Sequence, residues 1–296
     1  MDKVAMMPGW LEPPPIAGLD CVFWDSGQPM PDDDSLALVE FFVPPYMGTP
    51  ADLAVMSRLP RLRVVQALMA GTDAISPLAP PGVQVVRAVG LHDTSTAELA
   101  VGLMIASLRG IDDAARDALS GRWHHVRRPA LADRTVAVVG WGGVGRAIAK
   151  RLAGFEVEVI GFSRSGAHGS RPLTEFDRHL PAVDVVVLAL PLEDSTHGFM
   201  SAARLAALHD GALLVNVGRG PLVDTDALVA ALSEGRLRAA LDVTDPEPLP
   251  PDHPLWRCPN VLITPHVGGD SEAFVPRARR LVARQLRRWA ADEPLT

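Results

Sequence analysis

Gly140, Gly142 and Gly145 stand in the spacing G-x-G-x-x-G directly after the apolar run 136–139. Each glycine of that pattern answers a separate steric demand. The first lets the chain turn tightly out of a strand, the second lets backbone approach a pyrophosphate, and the third lets a helix pack close against the strand. A helix starting there turns free N–H groups and the positive end of its dipole toward the phosphates. The turn Gly140-Trp141-Gly142-Gly143-Val144-Gly145 is therefore the predicted dinucleotide-binding element. Its setting has the required form: a strand, the turn, a helical segment, and a second strand over 157–162 that runs into Ser163-Arg164.

Such a turn needs a parallel sheet to hold it, and the rest of the chain reads as two of them. Ahead of residue 95, short apolar strands at 21–24, 36–43, 63–68 and 83–88 alternate with helical stretches such as 51–58. After residue 130 the alternation restarts, with strands at 136–139, 157–162, 183–190, 212–217, 239–243 and 261–264. This pattern predicts two α/β units with helices on the faces of parallel sheets. Residues 271–290 have a helical pattern and are expected to return to the first unit, so that the chain crosses twice and a cleft lies between the units. The segment 99–108 is apolar or small all round and is expected to be covered on every side, with Ser95 and Glu98 in capping-box spacing at its start. A second copy of the chain would supply part of that cover, so a homodimer is expected.

With 296 residues, 48% hydrophobic, 21% charged and a net charge of −7, the composition is that of an ordinary globular protein. A mildly acidic chain gives no electrostatic reason to expect nucleic acid or a membrane surface as partner. No run of residues is long and apolar enough to cross a bilayer or to serve as a secretory signal. Cys21 and Cys258 are far apart and in no ligand spacing, which points to a reducing compartment, and a cytoplasmic location is expected. The histidines at 124, 125, 168, 179, 197, 209 and 253 share no metal-binding spacing, so no metal is expected. His92 precedes the buried helix, and its role is open, as is that of Tyr46.

Five ordered segments carry a wider likeness: QALMAGTDAI, TAELAVGLMIA, VVGWGGVGRAIAKRL, LLVNVGRGPLVD with LDVTDPEPLP, and ITPHVGG. In order and spacing they resemble the D-2-hydroxyacid dehydrogenase family, glyoxylate/hydroxypyruvate reductases included. The resemblance implies a Rossmann nucleotide-binding domain over 97–267 and a flavodoxin-like substrate domain made of 1–96 with 268–296, both doubly wound. It implies an enzyme that moves a hydride between a nicotinamide cofactor and a small 2-keto or 2-hydroxy acid. Carried onto this chain, the family's catalytic residues fall on Arg219, Glu247 and His266. A protonated imidazole can neutralise the charge that develops on a keto oxygen, a carboxylate beside it favours the protonated form, and a guanidinium presents a charged fork to the substrate. The loop Met69-Ala70-Gly71 corresponds to the family's binding loop for the substrate carboxylate. Met69 stands where the family often has something smaller or more polar.

Along the same pattern, the position that carries an acid in NAD-using proteins is Ser163. Arg164 and Ser165 follow, and a guanidinium beside hydroxyls suits a 2′-phosphate, so NADP is expected over NAD. Pro191 and Thr196 are expected to line the cofactor cleft and Asp242 to anchor the nicotinamide carboxamide. The leading expectation is an NADPH-dependent reductase of a small 2-keto acid. A dehydrogenase of a bulkier acid or another oxyanion is one alternative. A dinucleotide-sensing co-repressor is another, disfavoured because Arg219, Glu247 and His266 are all present.

Overall fold

Among the described residues, every ladder that pairs one strand with another is parallel. Parallel strands need crossover connections and must be covered on both faces, so their sequences read as unbroken apolar runs. The structure, a computed structural model, describes residues 2–296. It divides into two units, one running to His92 and including Glu272–Thr296, the other Asp93–Ser271.

The first unit holds five strands: β1 (Lys3–Met7), β2 (Leu19–Phe23), β3 (Val39–Phe42), β4 (Val64–Gln66) and β5 (Gln84–Val86). Their order is β2-β1-β3-β4-β5, the flavodoxin-like arrangement. Alternate residues feed two cores. Ala5, Met7, Phe41 and Val64 meet Phe274, Leu281, Val282 and Trp289 of the C-terminal helix. Val4, Met6, Phe42 and Val65 meet Leu36, Leu53 and Met56 on the opposite face.

Two expectations for this unit need correction. The interior strand β1, flanked by β2 and β3, has no counterpart among the expected strands, because five residues beside the terminus carry little pattern of their own. The expected strand at 36–43 is shortened to β3, since α1 (Asp33–Leu36) takes its beginning. Asp32 accepts the Ser35 N–H at 2.7 Å and caps that helix. A short α2 (Pro50–Ala54) follows, opened by a Thr49–Asp52 capping box.

The second unit carries α3 (Asp93–Arg109) and α4 (Ile111–Leu119) and then a sheet of β6 (Thr135–Val139), β7 (Glu158–Ser163), β8 (Arg171–Pro172), β9 (Val185–Leu188), β10 (Leu213–Asn216), β11 (Arg238–Leu241) and β12 (Val261–Ile263). Its order is β12-β11-β10-β9-β6-β7-β8. The chain starts in the middle, winds outward through β7 and β8, and returns to β9 on the other side of β6, which makes the carboxyl ends of β6 and β9 the switch point where such sheets bind ligands. Helices α5 (Gly143–Leu152), α6 (Ala202–Ala207) and α7 (Thr225–Ser233) belong to this unit, whereas α8 (Phe274–Ala290) belongs to the first. Val136, Val138, Val185, Val187, Leu213 and Val215 pack with α3 and α5, and Ala137, Val139, Val186, Leu188 and Leu214 fill the opposite core.

Helix α3 begins at Asp93, so Ser95 lies inside it and does not cap it. Within the single chain, the cover expected for 99–108 is nearly complete. Ala100, Val101, Leu103, Met104, Ser107 and Leu108 are buried, and Gly102 alone in that segment is exposed. No described helix is long and apolar enough to cross a membrane.

Candidate active site

The glycine turn sits at the switch point. Gly140 follows β6 with φ 107°, and a Cβ on it would lie 2.4 Å from the Ala189 carbonyl oxygen, beyond the end of β9. Both the dihedral and the close approach demand glycine. A Cβ on Gly145 would meet the Gly140 carbonyl oxygen at 1.9 Å, which is the tight contact between helix and strand. Gly142 is the N-cap of α5 and faces open space, with nothing within 4 Å of a Cβ built there. The N-terminal turn of α5, which carries Gly143 and Val144, is thus open at Gly142 to the close backbone approach that a pyrophosphate would need. Asp93 was not foreseen as part of this region. Its carboxylate oxygen would lie 1.9 Å from a Cβ on Gly143, so a side chain at 143 would require the Asp93 carboxylate to move.

Trp141 folds back over β7. Its ring covers Gly161, where a Cβ would come within 2.3 Å of it, and its Nε1 donates to the His168 carbonyl at 2.9 Å. At the end of β7 the Ser163 hydroxyl is bonded to Ser170 Oγ at 2.8 Å and accepts the Gly166 N–H at 3.0 Å, so it organises the loop that carries Arg164 and Ser165. Arg164 and Ser165 are exposed, and the Arg164 guanidinium donates to Glu193. Thr196, buried, accepts the Glu193 N–H at 2.8 Å and donates to the Pro191 carbonyl at 2.8 Å. The segment 191–196 is thereby held as a rigid turn beside β9. Arg171 lies 3.7 Å from Glu175.

Arg219, Glu247 and His266 come from three successive strand ends of the second unit. Arg219 follows β10, where Asn216, 1% exposed, brackets the turn: its Oδ1 accepts the Gly218 N–H at 3.0 Å and its Nδ2 donates to the Arg219 carbonyl at 2.8 Å. Gly220 brings this turn against the loop after β11, since a Cβ there would lie 1.9 Å from the Thr244 carbonyl oxygen. Glu247 stands in that second loop, with Thr244 N–H reaching its Oε2 at 3.4 Å. His266 follows β12 in left-handed backbone, φ 53°, with its N–H donated to the Asp242 carbonyl at 2.8 Å. A side chain held there costs about 1–2 kcal/mol, so the surroundings must impose it. The Asp242 carboxylate does much of this: it accepts from Thr264 Oγ1 at 2.6 Å, Val267 N–H at 3.0 Å and Gly268 N–H at 2.9 Å. Asn216 and Asp242 thus hold the arginine and histidine turns, and sequence reasoning missed that part of their work. The signal was available in the chain as two polar residues at the ends of apolar strands.

His266 Nδ1 meets Glu247 Oε1 at 2.6 Å. A carboxylate only accepts, so Nδ1 carries the hydrogen and Nε2 is left as the ring atom that can give or take a proton. The bond to Glu247 is the chief cause that holds His266 above the ordinary imidazole range. Partial burial and the Arg219 charge oppose it, while the charges of Glu247 and Asp242 add to it. For Glu247, burial would raise the carboxyl, but the His266 bond and charge, the Thr244 N–H and Arg219 outweigh it and bring it below the usual carboxylate range. The group is a histidine and carboxylate pair biased toward its charged form, with a guanidinium in its field. In the first unit, Met69, Ala70 and Gly71 form the half-buried loop after β4.

Residues 101–268 match the family model for the NAD binding domain of D-isomer specific 2-hydroxyacid dehydrogenases. The chain belongs to that family. It is 36% identical over 250 residues to a glyoxylate reductase of Thermofilum pendens, covering 79% of this chain and 74% of that one. Among solved structures, a D-isomer specific 2-hydroxyacid dehydrogenase of Xanthobacter autotrophicus Py2 in complex with NADPH and MES superposes with a TM-score of 0.80 at 31% identity, covering 100% of this chain and 97% of that one. An NADPH-dependent glyoxylate/hydroxypyruvate reductase of Sinorhizobium meliloti, in complex with NADP and sulfate, gives a TM-score of 0.83 at 28% identity over 99% and 97%. As a member of this family, the protein is an oxidoreductase of the 2-hydroxyacid dehydrogenase class.

Proposed function

We propose that the protein reduces a small 2-keto acid of the glyoxylate or hydroxypyruvate type to the D-2-hydroxy acid, with NADPH as the reductant. The observation that carries the reading is the His266–Glu247 pair, held at 2.6 Å with the histidine biased toward its protonated form. NADPH supplies a hydride to the keto carbon. His266 Nε2 gives its proton to the oxygen on which negative charge develops, Glu247 keeps the ring oriented and charged, and Arg219 grips the substrate with its fixed fork of donors. In the oxidation of a hydroxy acid the neutral ring takes the proton back.

The glycine turn fits a dinucleotide because Gly140 and Gly145 are sterically required while Gly142 leaves the α5 terminus open. A preference for NADP is supported by Ser163 in the place of an acid, and by the exposed Arg164 and Ser165 beside it. Relatives described with NADP or NADPH point the same way. Asp242 reaches the nicotinamide carboxamide in this reading, and Pro191 and Thr196 border the cofactor. The substrate carboxylate is assigned to the N–H groups of Met69, Ala70 and Gly71. Consumption of NADPH against a panel of 2-keto acids tests the reading, and indifference to all of them overturns it.

The working form in this proposal is a cytoplasmic homodimer. The apolar surface that supports it is mainly on the segment after α3. Ile111 is 53% exposed, Leu119 92% and Trp123 95%, and no residue of α4 is buried. Apolar exposure of this kind marks an interaction site.

A further inference from the structure

The loop 69–71 has a feature that does not follow from its glycine. The three peptide carbonyls that run through it are each tied by a donor within the first unit. His92 Nε2 meets the Leu68 carbonyl at 2.7 Å, the Ala88 N–H meets the Met69 carbonyl at 3.0 Å, and Arg87 Nε meets the Ala70 carbonyl at 2.5 Å. In a trans peptide the C=O of one residue and the N–H of the next point in opposite directions. Tying those carbonyls therefore aims the N–H groups of Met69, Ala70 and Gly71 away from their holders. Among the described residues, none of these N–H groups has an acceptor. Successive N–H groups left bare in this way make an anion-binding concavity.

Two of the three holders are side chains, and His92 is the more firmly placed. Its ring stacks against Tyr46, with centroids 5.5 Å apart, and against Phe274, with centroids 5.3 Å apart. A carbonyl only accepts, so Nε2 is the nitrogen that carries the hydrogen in this bond.

We infer that His92 is a positioning residue for the anion-binding loop. Through Leu68 it sets the direction of the Met69 N–H, and Arg87 does the same for Gly71 through Ala70. This rests on the reading that the loop receives the substrate carboxylate.

The test compares His92→Phe, which keeps an aromatic ring between Tyr46 and Phe274 but removes the donor, with His92→Gln, whose amide can reach the same carbonyl. His92→Phe should raise KM for the keto acid about tenfold, the worth of one well-aimed bond to a charged group. Turnover, its pH profile and the NADPH dissociation constant should stay close to wild type. His92→Gln should recover most of the loss. Arg87→Met, at an exposed position, should show the same rise in KM alone and serves if His92→Phe does not fold. A 2-oxoaldehyde without the carboxylate should show no change in KM in any of these variants. Unchanged KM for the keto acid in both His92→Phe and Arg87→Met would overturn the inference. So would an equal rise for the oxoaldehyde, or a displaced pH profile in His92→Phe. The reading beneath it fails separately, and in the wild type alone, if the uncharged oxoaldehyde is used as efficiently as the keto acid.

Discussion

Replacement of Glu247 by Gln isolates the electrostatic half of the His266–Glu247 pair. The amide oxygen can still accept from Nδ1 at 2.6 Å, so the ring keeps its orientation while the charge is removed. Hydrogen bonds to a charged group contribute about 1.5–3 kcal/mol and neutral ones about 0.5–1.5, so the loss is about 1–1.5 kcal/mol. The two side chains are 31% and 39% exposed, and water screens such a pair, which favours the lower end. That corresponds to roughly a fivefold to tenfold loss of preference for the imidazolium. The sign follows from the direction of the reaction. Reduction needs protonated His266, whose pKa Glu247 raises, so the wild-type rate holds to higher pH before it declines. In Glu247→Gln the decline should move to lower pH. At pH values above both declines the reduction rate should be lower by that factor, and below both it should approach wild type. Hydroxy-acid oxidation, which needs the neutral ring, should begin to rise at lower pH in the variant. Initial rates of NADPH consumption with saturating glyoxylate across the pH range measure this, with NADPH affinity from a fluorescence titration as the control. A uniform loss at every pH, with the decline unmoved, would refute the argument and leave Glu247 a purely geometric role.

His266→Asn removes the proton donor and should lower turnover by roughly 10²–10⁴ with NADPH binding nearly intact, as single-turnover kinetics and a binding titration can show. Arg164→Ala should weaken NADPH by about tenfold and NADH much less, because only the former presents a 2′-phosphate to the guanidinium; dissociation constants for both cofactors decide it. Gly220→Ala should destabilise the second unit and lower turnover, since its Cβ would lie 1.9 Å from the Thr244 carbonyl oxygen and must part the Arg219 and Glu247 loops. Thermal unfolding together with KM and kcat would register both effects. Solution mass at micromolar concentration should be twice that of the chain, and a monomer would show that the exposed Ile111, Leu119 and Trp123 do not mediate self-association.

The local rules were legible in the chain itself. An apolar run followed by spaced glycines specifies a strand, a turn and a helix wherever it occurs, because the steric demands on Gly140 and Gly145 are local. Unbroken valine and leucine runs specify parallel strands because both faces must be buried, so β6, β9 and β10 could be read directly. The likeness of ordered segments led to Arg219, Glu247 and His266 as a set. Tertiary structure decided what depends on partners distant in sequence. Strand β1 is an interior strand only because β2 and β3 flank it, and five residues near a terminus cannot announce that. Ser95 looked like a cap, but the helix starts at Asp93, and Asp93 also packs against Gly143, a residue far along the chain. The bond between His266 and Glu247, the grip of Asp242 on the turn that carries His266, and the aim of three N–H groups by His92, Ala88 and Arg87 are all matters of ångströms between separate segments. Residue types can propose such contacts. Only the packing of the strands sets the distances that make them act.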